Sequence, residues 1–396
     1  MTSGTGDLAR RFETTAGATF LELFFDVAFV FALRALAQLL LSKLTWSGAY
    51  QTLVVMLAIG WVWCLTVRVT DELGSERTSV LLLVLATMVG ALVLAAAVPE
   101  AFGKTGLVFA GTYLAIQIGR NLFVVILLRH QEARHGAQQS LIWHAATVVP
   151  WVIGALASSP VRAPLWTVAI AIIYIARWVD YAVPGLRRIR TGKAQAGWQH
   201  LAERYRALFV IGLGEVVLAI GSNLTDHAFT TTQTVAFVVT FAITALIWRV
   251  YIFRAGTQMG PAIHASARSD LIATVASYAH IIMISGLVVT SVGDALVLEH
   301  PLGHPRTAAT VTILGGPAVF LVGRYLLSYI VFSDVDTSRI IGLLALALLV
   351  PPMLFLPPLV NAIAVGAVLT GIVIVDSRRS PRIPVSPPGP HQPSNQ

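Results

Sequence analysis

The sequence predicts an all-α polytopic membrane protein, with about twelve transmembrane helices arranged as two parallel six-helix repeats. Composition is the first observation: 56% of the 396 residues are hydrophobic and only 12% are charged, whereas a soluble domain carries about 25% charge. The mean hydropathy of +0.76 agrees with this. The second observation is that apolar runs recur at the length that crosses a bilayer, with charged residues concentrated between them.

Twelve apolar runs have approximately spanning length, and each predicts one helix. They are 20–41, 50–67, 79–98, 107–128, 141–157, 165–183, 206–223, 234–253, 271–293, 310–332, 340–356 and 359–376. Prolines alone divide the last two: Pro351, Pro352, Pro357 and Pro358. A tight turn there gives two spans, and the alternative is a single kinked span and eleven helices.

The loop charges predict the orientation. Eighteen of the Lys and Arg residues lie in loops on the side of the N-terminus, and four lie on the other side: Lys43, Lys104, Arg162 and Arg306. The positive-inside rule then places both termini in the cytoplasm. An odd number of helices would move Arg378, Arg379 and Arg382 to the wrong side. Because topology explains the net charge of +8, no nucleic-acid partner is predicted.

The segments outside the spans are expected to be cytoplasmic. Residues 1–19 form the N-terminus, and the apolar run after them is too long for the core of a cleaved signal peptide. Residues 184–205 form a basic loop that ends in a short interfacial helix carrying Trp198. Residues 377–396 form a Pro-rich tail that we expect to be disordered. A lone cysteine, Cys64, excludes an intramolecular disulfide.

The two halves, 20–183 and 206–376, can be aligned on each other with insertions confined to loops, which indicates a duplication. Asp26 on the first helix matches Glu215 on the seventh, and Arg120 on the fourth matches Arg324 on the tenth. Charges inside a membrane need partners. We therefore expect two buried pairs at similar depth, Asp26–Arg120 and Glu215–Arg324, which either brace the helices or line an ion or proton path. Glu22 is expected at the cytoplasmic mouth.

Four further residues are candidates for a relay at the inner interface: His200, Glu203, Arg204 and His280. The i, i+3 spacing of His200 and Glu203 suits a metal-ligand pair or a proton relay, although interfacial polar residues are more often simple anchors. His280 is the embedded histidine of the ninth run and serves either packing or proton transfer. The chain has no nucleotide-binding loop, no His-Glu-x-x-His and no cysteine cluster. No catalytic residue, cofactor or metal site is predicted.

Two stretches resemble a known family. They are Thr19-Phe-Leu-Glu-Leu-Phe-Phe-Asp-Val-Ala-Phe-Val-Phe-Ala and His200-Leu-Ala-Glu-Arg-Tyr-Arg-Ala-Leu-Phe-Val-Ile-Gly-Leu-Gly-Glu-Val-Val-Leu-Ala-Ile. Both are similar to the bacterial low temperature requirement A (LtrA) family, and the resemblance covers about 15–376. It implies a polytopic bacterial inner-membrane protein, without implying an activity. Phe24-Phe25-Asp26 is also similar to the Phe-Ser-Asp signature of potassium channels built from a repeated six-helix unit, with Phe25 in place of serine.

Taken together, these features favour a transporter-like or channel-like protein for an ion or small solute, embedded in the lipid bilayer and able to form a homo-oligomer. The duplicated halves, the buried opposite charges and the lack of a soluble catalytic domain support it. One alternative is a membrane-embedded enzyme or lipid-handling protein that uses His200, Glu203 and Glu215 at the cytoplasmic leaflet. Another is a structural or stress-related membrane protein that transports nothing.

Overall fold

The computed structural model describes residues 19–131, 134–186, 197–225, 230–264, 269–332 and 335–378. Within these ranges the chain forms thirteen α-helices and a short 3-10 turn, Val98–Glu100, at the end of the third helix. The helices are α1 Phe20–Ser42, α2 Trp46–Leu73, α3 Thr78–Ala97, α4 Gly106–Leu127, α5 Arg134–Ala146, α6 Val148–Leu156, α7 Ser159–Trp178, α8 Gly197–Thr225, α9 Thr231–His264, α10 Ser269–Glu299, α11 Thr307–Phe332, α12 Thr337–Met353 and α13 Pro358–Arg378.

The described helices confirm the predicted all-α polytopic class. Eleven segments are long and apolar enough to cross a membrane, with α5 and α6 together forming one of them, and α12 is a shorter apolar helix of 17 residues. Each of the twelve predicted runs therefore has a helical counterpart. Pro351 and Pro352 lie in the last turn of α12 and Pro358 begins α13, so the final apolar stretch forms two helices. The duplication itself stays a prediction.

Local sequence explains where the first helices begin and end. Thr19 and Glu22 form a capping box at the start of α1, in which each side chain bonds the other residue's backbone N–H. The turn into α2 is so tight that a Cβ on Gly48 would collide with the carbonyl oxygen of Lys43. Between α5 and α6 the helix is interrupted at Thr147, because Pro150 has no N–H to donate to the preceding turn.

Helix α8 differs from the prediction. It is one continuous helix of 29 residues, so residues 197–206 form its first turns rather than a separate interfacial helix. The depths of the two matched acids change as a result. Asp26 lies six residues after the start of α1, about 9 Å along the axis, whereas Glu215 lies eighteen residues after the start of α8, about 27 Å. The expectation of equal depth was wrong.

Helices α10 and α11 pack backbone against backbone. A Cβ on Gly286 would lie 2.5 Å from the backbone nitrogen of Phe320, and one on Gly316 would lie 2.5 Å from the backbone nitrogen of Thr290. Such close approach is typical of helix pairs in membranes. The hydrophobic effect does not drive helices together in lipid, so small residues that allow close van der Waals packing stabilise the pair. Both helices lie beside α8, where Phe209 contacts Phe320 of α11 and Gly212 lies against Leu287 of α10.

The surface and the helix ends also fit a membrane protein. Large apolar side chains are exposed along the outward faces of most helices, for example Leu348 of α12 at 77% and Leu82 of α3 at 61%. Arg162, assigned above to a loop, is instead buried and donates to five backbone carbonyl oxygens: those of Gly154, Ala101, Gly103, Ala155 and Ala157. It satisfies the carbonyl groups left open where helices end.

Several predicted features lie outside the described residues. These are the N-terminus before Thr19, most of the basic loop (187–196) and the tail after Arg378. The side chain of Trp198 also lies outside the described part.

Candidate functional site

A network of five ionisable side chains joins three helices at the end of the bundle where α1 begins and α2 ends, which we call the proximal end. Its members are Glu22 and Asp26 of α1, Asp71 of α2, and His200 and Arg204 of α8. The i, i+4 spacing places the two acids on one face of α1 and the two bases on one face of α8. The two faces meet as two rungs, Glu22–His200 and Asp26–Arg204. We call these five residues the proximal charge network.

The deeper rung is fully buried. Arg204 and Asp26 are both 0% exposed, and the Arg204 Nη2 donates to Asp26 Oδ1 at 2.7 Å. Trp63 of α2 donates its indole N–H to the same oxygen at 2.8 Å. The Arg204 guanidinium also lies 6.0 Å from the ring centre of Phe25. The hydrogen bonds from the Arg204 guanidinium and the Trp63 indole compensate the buried Asp26 carboxylate for its lost contact with water.

The outer rung is centred on His200, whose side chain is 18% exposed. Its Nε2 lies 3.0 Å from Glu22 Oε2, and its Nδ1 lies 3.4 Å from Asp71 Oδ1. Both ring nitrogens thus face carboxylate oxygens, an arrangement in which the doubly protonated imidazolium donates twice. Glu22 also receives the backbone N–H of Thr19 at 2.9 Å, so the capping box of α1 positions this carboxylate.

The network retains unused hydrogen-bonding capacity. Glu22 Oε1 and Asp26 Oδ2 are buried and accept no hydrogen bond from the described residues, and Arg204 Nε and Nη1 donate none there. Buried polar atoms without partners are costly and rare, and they occur where a site exchanges protons, ions or water. Three carboxyl groups facing one guanidinium and one imidazole leave an excess of acid, which suits a proton or a small cation.

The predicted pairs, Asp26 with Arg120 and Glu215 with Arg324, do not form. Asp26 is bound by Arg204, as described above. Arg120 of α4 donates to Gln117 Oε1. Arg324 of α11 donates to the carbonyl oxygens of Val250 and Phe253 and to Ser328 Oγ. The fault lay in the assumption that duplicated halves pair their charges internally, whereas α8 of the second half inserts its bases against α1 of the first.

Glu215 belongs to a second polar cluster, nearer the opposite, distal end of the bundle. It is 2% exposed and accepts from Ser291 Oγ of α10 at 3.5 Å. Asp294 of α10 and Arg34 of α1 both interact electrostatically with it. Asp294 is also buried, and its Oδ2 accepts no hydrogen bond from the described residues. We call Glu215 and Asp294 the distal acidic pair.

Apolar side chains separate the two clusters. At Gly212 of α8, one turn before Glu215, three methyl groups converge within 3.7 Å of where a Cβ would stand: those of Leu33, Ile284 and Leu287. Each of these side chains is at most 4% exposed. We call them the apolar plug. A cavity of about 20 Å³ lies between the plug and Trp63, lined mainly by apolar side chains such as Phe29 and Leu208, so it offers few partners to a water molecule.

The predicted inner relay is brought together only in part. His200 and Arg204 belong to the proximal charge network, but Glu203 forms a half-exposed ion pair with Arg206 at 3.0 Å. His280 lies deeper, stacked on Tyr205 with ring centres 4.5 Å apart and bonded through Nε2 to the Tyr251 hydroxyl at 3.2 Å. Glu215 lies fifteen residues beyond His200 on α8, about 22 Å away. The three residues of the enzyme alternative therefore do not converge.

Sequence reasoning missed several residues of these clusters. Asp71, Trp63 and Asp294 lie near helix ends or among apolar residues, where nothing local marks them. His144 of α5 is as buried as His280, at 1% exposed, although its run contains more polar residues. The i, i+4 spacing of His200 and Arg204, matching that of Glu22 and Asp26, was the signal that could have paired α8 with α1. No group of three or more His, Cys, Asp or Glu side chains within the described ranges could hold a metal ion.

The fold and the buried charges define a multi-pass membrane protein built from many apolar helices. The sequence matches the family model described as "Bacterial low temperature requirement A protein (LtrA)" over residues 17–374. The chain therefore belongs to the LtrA family. It is also 31% identical over 362 residues to a protein of Rhizobium meliloti (strain 1021) named "Uncharacterized protein RA0937", a match that covers 90% of this chain and 87% of the relative. No solved structure matches significantly.

Proposed function

We propose that this LtrA-family protein is a transporter-like or channel-like protein that moves a small cation or a proton along the α1–α8–α10 interface. The observation that carries the proposal is the proximal charge network, with its two buried carboxylate oxygens that have no partner among the described residues. Ionisable groups within a membrane are costly and usually serve a path for ions or protons.

The arrangement of the two polar clusters supports an ion path rather than a purely structural role for these charges. The proximal charge network and the distal acidic pair lie toward opposite ends of α8, and α1 and α10 contribute to the same interface. A permeating cation would meet acid at both ends and the apolar plug between them. A hydrophobic constriction of this kind gates by excluding water, so the described arrangement corresponds to a closed state.

The orientation of the path follows from the loop charges. The excess of Lys and Arg on the proximal side supports a cytoplasmic location for both termini and for the proximal charge network. His200, the most exposed member of the network, would then be the first of its groups that an ion entering from the cytoplasm meets. The distal acidic pair would face the opposite compartment.

Flux into proteoliposomes tests the proposal. Purified protein is reconstituted, and H⁺, Na⁺ and K⁺ fluxes are compared with those of empty liposomes. We expect flux of at least one of these ions, reduced about tenfold or more by Asp26→Asn and by Glu215→Gln, because each removes a charge from the path. Glu299→Gln is the matched control, since Glu299 is exposed at the end of α10, and it should conduct like the wild type.

Two outcomes contradict the proposal. Equal flux in empty and protein-containing liposomes for all three ions would exclude their transport. Undiminished flux in folded Asp26→Asn and Glu215→Gln proteins would show that the ion does not pass these carboxyl groups. Size-exclusion elution of each variant, compared with that of the wild type, establishes that it is folded.

A further inference from the structure

Arg120 is a buried cation whose hydrogen bonds are incomplete. It is 2% exposed, lies seven residues before the proximal end of α4, and donates through Nη2 to Gln117. Its Nη1 meets no acceptor among the described residues. No described carboxylate lies within ion-pair distance of it, in contrast to Arg204. A buried guanidinium in this state calls for an acceptor from elsewhere.

A cavity of about 110 Å³, lined by both polar and apolar side chains, adjoins Arg120 at the proximal end, between α2, α4, α5 and the residues that follow α7. Because one water molecule needs roughly 10–15 Å³ of such volume, the space holds several waters or one small ion. Besides Arg120, the polar side chains that line it include Arg68, Glu72, Ser140, Asp180 and Tyr181. It is separate from the proximal charge network and from the apolar plug.

The charges around this cavity do not cancel. Arg68 pairs with Glu72 at 3.2 Å, and Arg177 pairs with Asp180 at 3.3 Å. Both carboxylates are thus engaged by their own arginines, and Arg120 contributes one uncompensated positive charge. Asp180 and Tyr181 have φ angles of 55° and 53° and are the non-glycine residues with positive φ in the described part of the chain. The backbone of these two residues therefore forms part of the cavity wall in a left-handed conformation that is unfavourable for side chains.

A second buried arginine shows what a purely structural role looks like. Arg324 of α11 is bonded by two carbonyl oxygens and by Ser328 Oγ, four residues further along the helix, at 2.5 Å. The position four residues after Arg120 is Val124, which has no hydroxyl and lines the cavity. Arg324 therefore has acceptors supplied by the protein, whereas Arg120 has open space beside it.

We propose that the cavity beside Arg120 binds a small monovalent anion, no larger than acetate, whose charge Arg120 neutralises. The Arg120 guanidinium is the principal donor, and the Ser140 hydroxyl, whose oxygen lies 3.4 Å from His144 Nδ1, is a second. A guanidinium holds a carboxylate or halide more strongly than a neutral donor does, because its hydrogen bonds are charge-assisted. The volume excludes larger anions, and the two engaged carboxylates disfavour multivalent ones by repulsion.

Thermal unfolding of the purified protein in detergent tests this without any ion gradient, so its outcome is independent of the flux experiment. The probes are sodium acetate and sodium bromide, with sodium gluconate as the large anion and sodium phosphate as the multivalent one, all at one ionic strength. We expect acetate or bromide to raise the Tm in a saturable manner relative to gluconate and phosphate, because a ligand that binds the folded state stabilises it.

Two variants locate the effect. Arg120→Gln should abolish the anion-dependent shift. Val124→Ser places a hydroxyl beside Arg120, in the position that Ser328 has relative to Arg324. It should weaken the apparent anion affinity about tenfold while leaving the charge of Arg120 in place. Ser328→Val on α11 is the matched control and should keep the full shift relative to its own Tm in gluconate.

The proposal is overturned if the wild type unfolds at the same temperature in all four salts. It is equally overturned if Val124→Ser keeps the wild-type anion affinity, a result that remains informative should Arg120→Gln fail to fold. A shift that Ser328→Val loses and Val124→Ser keeps would place the anion site elsewhere.

Discussion

The deeper rung of the proximal charge network gives the sharpest energetic prediction. Replacing Arg204 by Met leaves the Asp26 carboxylate buried with only the Trp63 indole as donor. Removing one partner of a buried ion pair costs about 3–5 kcal/mol. Asp26→Asn should cost less, about 1–3 kcal/mol, because its amide oxygen still accepts from Trp63. The double variant removes both charges, and we expect it to lie within about 2 kcal/mol of the wild type.

The resulting double-mutant cycle should therefore show a coupling energy of at least about 2 kcal/mol. The assay is reversible unfolding in mixed micelles by SDS titration, followed by circular dichroism. Arg68 and Glu72 provide the control cycle: they form an i, i+4 pair whose side chains are 25% and 38% exposed, so their coupling should stay below about 0.5 kcal/mol. Additive effects of Asp26→Asn and Arg204→Met, within about 0.5 kcal/mol, would refute the proposed strength of the rung.

Three further predictions use the same preparation. Trp63→Phe removes the 2.8 Å hydrogen bond to Asp26 and should lower the unfolding free energy by about 1.5–3 kcal/mol; an unchanged value would show that the bond contributes nothing. Gly316→Ala drives a methyl group into the backbone of α10 and should cost about 1–3 kcal/mol, whereas Gly315→Ala, which meets open space, should be neutral or stabilising. Cys64 is buried, so a water-soluble maleimide should label it only after unfolding, and rapid labelling of the folded protein would contradict the packing around it.

The helices could be predicted from the sequence because the apolar runs that form them are long and are recognised locally. Long apolar runs bounded by charge predict helices without any knowledge of neighbours. Between α12 and α13 the prolines left two interpretations open, and the structure has a helix boundary there. The start of α8 was misplaced for the opposite reason. Its first turns carry His200 and Arg204, which hydropathy assigns to a loop, although in the fold both are held by acids of α1.

Partners of buried charges were harder to predict than the charges themselves. Most of the charged residues singled out in sequence are buried in the fold, namely Glu22, Asp26, Arg120, Arg204, Glu215 and Arg324, whereas Glu203 is partly exposed. Their contacts depend on which helices are adjacent, and adjacency between α1 and α8 spans 178 residues of sequence. Neither the depths of the charges nor the alignment of the two halves shows which helices are adjacent. The complementary spacing of two acids and two bases is the one local clue that does.

In the proposed path along α1, α8 and α10, the apolar plug keeps the two polar clusters apart. Leu33→Ser tests it most directly, because Leu33 is 4% exposed and meets Ile284 and Leu287 beside Gly212. A hydroxyl there should admit water to the constriction, and we expect proteoliposome cation flux to rise about tenfold or more above that of the wild type. Leu348→Ser, on a lipid-facing side chain that is 77% exposed, should leave flux unchanged. Flux in folded Leu33→Ser that equals the flux in the wild type and in Leu348→Ser would contradict the account.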